Sequence, residues 1–176
     1  TMTKYIAFLR AINVGGHTVK MDHLSKLFEA LGFSSVETFI ASGNVIFETT
    51  AKNTTTLEKK IKEHLKKSLG YEVDTFLRTV QEVAEVEKRS PFIAQKKEES
   101  VYVAFLHETP NATAMSALMA LRNKANDFAI LEREVYWLRL NKDDLLFLKS
   151  PLEKVLKLSA TIRNMTTIRK LCEKYR

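Results

Sequence analysis

Apolar positions along this chain follow two periods, and the pair of patterns returns once. Residues 5–9, Tyr-Ile-Ala-Phe-Leu, are apolar at every position, as a central strand covered on both faces would be. They run into Arg10-Ala-Ile-Asn13-Val-Gly15-Gly16, a loop signal. Leu24, Leu27, Phe28 and Leu31 then fall at i, i+3, i+4 and i+7, which predicts an amphipathic helix that Asp22 can cap and Gly32 can end. Residues 36–40 and 45–47 read as strands around Ala41-Ser42-Gly43-Asn44, whose small, turn-forming residues fit a tight hairpin. A Thr cluster at 54–56 opens a helix that buries Leu57, Ile61, Leu65 and Leu69 and stops at Gly70, and residues 73–77 form a fourth strand. The order is β-α-β-β-α-β, the ferredoxin-like unit.

Thr79-Val-Gln-Glu82 has capping-box spacing and starts a short helix to about residue 87. Ser90-Pro91 and the charged run Lys96-Lys97-Glu98-Glu99 mark a boundary between residues 1–90 and 91–176. Beyond it, residues 101–106 echo 5–9, Met115, Leu118 and Met119 line a helix, and residues 128–131 and 135–140 make a second hairpin. Ser150-Pro151-Leu-Glu153 carries three helix-start signals, and a last helix after Asn164 buries Ile168, Leu171, Cys172 and Tyr175. The expected fold is α+β: two ferredoxin-like halves packed together, each an antiparallel sheet with helices on one face, the second reading β-α-β-β-α with terminal helices. Because both central strands are apolar on both faces, something must cover the second face of each sheet. The halves themselves, with the later helices, are the simplest cover, and a homodimer is the next.

Composition narrows the class without naming a function. Of 176 residues, 45% are hydrophobic and 28% charged, ordinary globular usage that excludes a disordered or fibrous chain. One cysteine rules out a disulfide framework, and the first apolar run is short and broken by Arg10. No signal peptide or membrane span is therefore expected, and the expected location is cytoplasmic. The net charge of +7 is concentrated late, since residues 149–176 hold eight basic and two acidic side chains. Such an end attracts phosphates and acidic partners without choosing among them.

Three segments could carry chemistry. Leu9-Arg10-Ala11-Ile12-Asn13-Val14-Gly15-Gly16-His17 places a guanidinium, an amide and two glycines between a buried strand and a helix start, the outline of an anion site. It matches neither the dinucleotide fingerprint nor a P-loop, and the glycines could equally serve only to turn the chain. Ser42-Gly43-Asn44 presents a hydroxyl and an amide at a hairpin, but Ser42 has no evident base and no Gly-x-Ser-x-Gly elbow. Thr161-Ile162-Arg163-Asn164-Met165-Thr166-Thr167 repeats the Arg/Asn pairing beside a helix start, where Asn164 or Thr166 would serve as an ordinary cap and Arg163 is left over.

The four histidines show no paired metal-ligand spacing, so no metal or other cofactor is expected. Cys172 falls on the apolar stripe of the last helix, as a buried, inert thiol would. Lys59, Lys60, Lys62, Lys66 and Lys67, interspersed with Glu58 and Glu63, read as a solvated helix face. RNA-recognition domains share this element order, but their aromatic signature is missing from the middle strands.

Through Leu9-Arg10-Ala11-Ile12-Asn13-Val14-Gly15-Gly16, Leu31-Gly32-Phe33 and Ser42-Gly43-Asn44-Val45-Ile46-Phe47, the chain resembles a bacterial family, domain of unknown function 1697. The family's C-terminal segment usually reads Arg-Asn-Trp-x-Thr, which places Arg163, Asn164 and Thr167 on the pattern and Met165 at its Trp position. The resemblance implies a two-lobed ferredoxin-like protein of the bacterial cytoplasm and supplies no catalytic residues. Residue chemistry leads to a small anionic-ligand-binding protein or enzyme, with Arg10, Asn13, Gly15, Gly16, Ser42, Asn44, Arg163 and Asn164 converging on one cleft. A protein-interaction adaptor ranks second and a nucleic-acid-binding module third, with the chain a monomer or homodimer.

Overall fold

The computed structural model describes residues 1–10, 12, 17–40, 43–142 and 152–176. The chain divides into two compact units, one of Thr1–Ala84 with Leu171–Arg176 and the other of Glu85–Lys170. In the first, β1 (Thr3–Leu9), α1 (Met21–Glu29), β2 (Ser34–Thr38), β3 (Asn44–Thr49), α2 (Thr54–Leu69) and β4 (Thr75–Thr79) precede α3 (Val80–Lys88). The sheet is antiparallel throughout in the order β2-β3-β1-β4, the ferredoxin-like arrangement.

Punctuation accounts for the helix ends. The Asn53 side chain accepts from the Thr56 N–H at 3.0 Å and caps α2. Gly32 and Gly70 take φ of +87° and +86°, a conformation that costs glycine least. Thr79 and Glu82 exchange the reciprocal bonds of a capping box, at 3.0 and 2.9 Å, to start α3. α1 differs from expectation: Lys20 holds its cap position without a side-chain hydrogen bond, and Asp22 lies inside the first turn, where its charge suits the helix dipole.

Alternation along β1 sorts its side chains between two buried faces. Tyr5, Ala7 and Leu9, with Val45, Phe47 and Leu77, meet Leu24 and Phe28 of α1 and Leu57, Ile61 and Leu65 of α2. Each fully buried valine, leucine, isoleucine or phenylalanine among them contributes roughly 1.5–3 kcal/mol. On the opposite face Ile6, Phe8, Ile46, Phe76 and Arg78 are also buried. The chain's last residues serve this unit, where the Tyr175 hydroxyl donates to Glu37 Oε2 at 2.6 Å and its ring meets Phe39 edge-on. Burial, followed by the bond to Glu37, pushes that hydroxyl well above the usual tyrosine range.

The second unit repeats the plan with β5 (Ser100–Leu106), α4 (Ala112–Met119), β6 (Asn126–Leu131), β7 (Glu134–Arg139), α5 (Leu152–Leu156) and β8 (Ala160–Asn164), followed by α6 (Met165–Tyr175). Its antiparallel order, β6-β7-β5-β8, is that of the first sheet. Strand β8 departs from the expected β-α-β-β-α reading and completes the second β-α-β-β-α-β. Five residues with only two aliphatic side chains carry too short an alternation to announce a strand, and the ladder with β5 supplies what the local pattern lacks. The start signals at Ser150 and Pro151 fall outside the described residues.

Here too the second face is closed. Val103, Phe105 and Tyr136 are fully buried, and the Tyr136 hydroxyl donates to the Val86 carbonyl at 2.6 Å. Arg89 binds the buried Glu134 carboxylate and reaches Glu132 at 3.3 Å. The single cysteine, Cys172, is buried and forms no disulfide. Among the described residues no helix is long and apolar enough to cross a membrane.

Candidate functional site

The end of β1 gathers two of the three candidate segments. The Leu9 N–H donates to the Gly43 carbonyl at 2.8 Å, which joins the β2–β3 hairpin to the point where Arg10 leaves the strand. The next N–H, that of Arg10, donates to the Asp74 carbonyl at 2.9 Å, and its side chain is exposed. Further on, the Ile12 carbonyl accepts the Tyr71 hydroxyl at 2.8 Å, and the His17 ring stacks on that tyrosine with centroids 3.9 Å apart. The loop is therefore pinned near both of its ends to the turn between α2 and β4. Asn13, Gly15, Gly16 and Ser42 fall outside the described residues.

Asn44 has structural work in this corner. Its buried amide donates to the carbonyls of Phe39 and Ile40, at 3.0 and 3.1 Å, and so holds the hairpin around Ile40, whose φ is +50°. An asparagine fits because one NH2 group serves two carbonyls that strand pairing leaves over.

The third segment lies in the second unit. Arg163 sits on β8 opposite Val103, and its guanidinium donates to Thr161 Oγ1 at 2.7 Å and to the Ile162 carbonyl at 3.0 Å. Burial pushes it down to about 10, so it remains a cation at neutral pH. Asn164 Oδ1 accepts from the Thr166 N–H at 2.8 Å at the start of α6, the capping role its position implies. Asn164 also lines a recess of about 70 Å³ with Glu99, Ser100 and Arg169.

Sequence reading missed the counterpart of Arg163. Arg78 stands opposite Ile6 on β4 as Arg163 stands opposite Val103 on β8, so the two sheets carry an arginine at the same register point. Each is followed by a capping residue, Thr79 or Asn164, and then by a helix. Arg78 is only 1% exposed. The available signal was the Arg-then-cap pairing, hidden because β8 was not expected.

A cavity of about 490 Å³ in the second unit, between α4 and α5, also went unforeseen. Glu108, Thr109, Asn111, Thr113 and Lys157 provide its polar lining, and Ala117 is part of its wall. It matches no motif. Among the described residues there is no group of three or more His, Cys, Asp or Glu side chains able to hold a metal ion. The face on which an RNA-recognition domain would stack bases is closed in the first unit, where Phe8 and Phe76 are fully buried.

Two consecutive β-α-β-β-α-β units, each an antiparallel sheet with an arginine at the same register point and a trailing helix, define a duplicated ferredoxin-like α+β protein. The chain belongs to the family described as "Protein of unknown function (DUF1697)", whose model matches residues 2–136. The Arg163–Asn164 segment lies beyond that match. A solved structure, that of a conserved bacterial protein from Streptococcus pneumoniae, is similar over 100% of both chains, with a TM-score of 0.81 and 21% identity, a likeness of fold. None of the curated proteins is significantly similar to the chain. Neither the family nor the structural neighbour carries a specific function.

Proposed function

We propose that the protein binds a small anionic ligand in the cytoplasm, at the end of β1 in the first unit. One observation carries this reading: an exposed arginine leaves the sheet where the β2–β3 hairpin is bonded to the same strand end, and Tyr71 and Asp74 pin the following loop. A guanidinium held at the mouth of an anchored loop offers a planar fork that matches a carboxylate or phosphate. Its neighbours in the sequence, Gly15 and Gly16, are residues whose backbone N–H groups can approach an anion closely. α1 begins just beyond, with a lysine rather than a capping acceptor at its N-cap, so the local field favours negative charge.

A thermal-shift screen of organic acids, phosphorylated metabolites and nucleotides on the whole chain tests the proposal. At least one class of anion is expected to raise the melting temperature of the wild type. Arg10→Ala is expected to remove the shift, whereas Arg122→Ala, an exposed arginine of the second unit, keeps it. A shift that survives Arg10→Ala, or no shift with any anion, would sink the proposal.

A further inference from the structure

We infer that the second unit carries a separate pocket for a small zwitterionic ligand of amino-acid or dipeptide type, which presents an ammonium and a carboxylate together. The cavity between α4 and α5, at about 490 Å³, has the size of a small-molecule site. It exists because the helix layer is thin here. The buried positions of α1 are Leu24 and Phe28, whereas those of α4 are Ala114 and Leu118; α2 has 16 residues and α5 has 5. Shorter helices with smaller buried side chains leave space that none of the described residues fills.

The lining sets the ligand's chemistry. Glu108 and Lys157 both face this cavity, and among the described residues neither forms an ion pair with the other or with any third group. A plain anion would gain from Lys157 and lose beside Glu108, and a plain cation the reverse. Only a molecule carrying both charges is complemented by both. The Asn111 Oδ1 accepts from the Ala114 N–H at 2.8 Å, so the Asn111 NH2 and the Thr113 hydroxyl are the polar groups left to orient the ligand. Leu158 and Ala117 give it an apolar wall suited to a short side chain.

Lys157 occupies a backbone conformation that a structural residue would avoid. It follows the end of α5 with φ of +57°, where glycine is the usual occupant. A lysine there costs stability, and a role at the cavity would account for its presence.

Calorimetric titration with free amino acids and dipeptides, each beside its N-acetylated and C-amidated form, tests the inference. The free zwitterions are expected to bind, and blocking either terminus to weaken binding about five-fold, the scale of one exposed charge pair. Lys157→Gly is expected to raise the melting temperature of the ligand-free protein while weakening zwitterion binding by a similar factor, an outcome misfolding cannot imitate. Glu108→Gln should erase the preference for a free over an acetylated amine, and Ala117→Phe should block the cavity. Equal binding of the blocked and free forms, no binding of any of them, or unchanged affinity in Lys157→Gly would overturn the inference. Arg10→Ala leaves this titration unaltered, which keeps the outcome separate from that of the anion site.

Discussion

The two units follow one plan and spend it differently. In the first, large side chains fill the space between helices and sheet, and the candidate chemistry sits on an anchored loop of about ten residues after β1. In the second, the connection from β5 to α4 takes only residues 107–111, and a cavity stays open between α4 and α5. The candidate anion site follows the first strand of its unit, and the cavity draws only part of its lining, Glu108, Thr109 and Asn111, from the corresponding connection of the other. In the second unit Ala114 and Leu118 of α4 and Leu152 and Leu156 of α5 also pack on Ala104, Leu106 and Phe128 of the sheet, but a cavity remains between the two helices.

The strongest way to break this comparison is to empty the filled layer. Phe28→Ala should cost about 4 kcal/mol in urea unfolding, whereas Ala117→Leu, which adds bulk beside the open cavity, should stay within about 0.5 kcal/mol of wild type. Comparable losses from the two changes would remove the contrast. The next largest effect concerns a register point the sheets share, where Asn44 faces Phe8 in one and Glu134 faces Phe105 in the other. Arg89→Ala removes the cation bound to the buried Glu134 carboxylate and should cost about 3 kcal/mol, much of it recovered when Glu134→Gln is added. At the equivalent point of the first sheet, Asn44→Ala leaves two hairpin carbonyls without their donor, a loss of about 2 kcal/mol.

A smaller effect depends on pH. Burial raises the Tyr136 hydroxyl above its ordinary value, so the folded state favours the neutral phenol more than the unfolded state does. The associated stability is fully present below the unfolded tyrosine's pKa, about 10, and is lost as pH rises beyond it. Stability measured from pH 9 to 11 should therefore fall more steeply in the wild type than in Tyr136→Phe. Parallel curves would show that the phenol contributes nothing to the decline. The smallest expected effects are the helix caps, with Asn53→Ala and Asn111→Ala each costing about 1 kcal/mol in their respective units.

What could be read in advance follows from how local its cause is. The capping box at Thr79, the left-handed glycines 32 and 70 and the apolar β1 and β5 are written within a few neighbouring residues, and each stands where the pattern placed it. Strand β8 is not local, because its five residues are held by pairing with β5, 54 or more positions earlier. Missing it hid the equivalence of Arg78 and Arg163. Asn44 was legible as a hairpin residue, and its two carbonyl bonds give that reading a concrete form. The cavity had no sequence signal, since it arises from what α4 and α5 lack in bulk and length rather than from a motif. Lys157 becomes notable only once its backbone angle is known.

The central claim, an anion site at the end of β1, is most directly tested by calorimetric titration of the strongest anionic hit into wild type, Arg10→Lys and Arg10→Ala at two salt concentrations. A single site is expected in the wild type, weakened by salt, with Arg10→Lys intermediate because it keeps the charge but not the fork, and Arg10→Ala at least ten-fold weaker. Equal affinity in all three proteins would contradict the account.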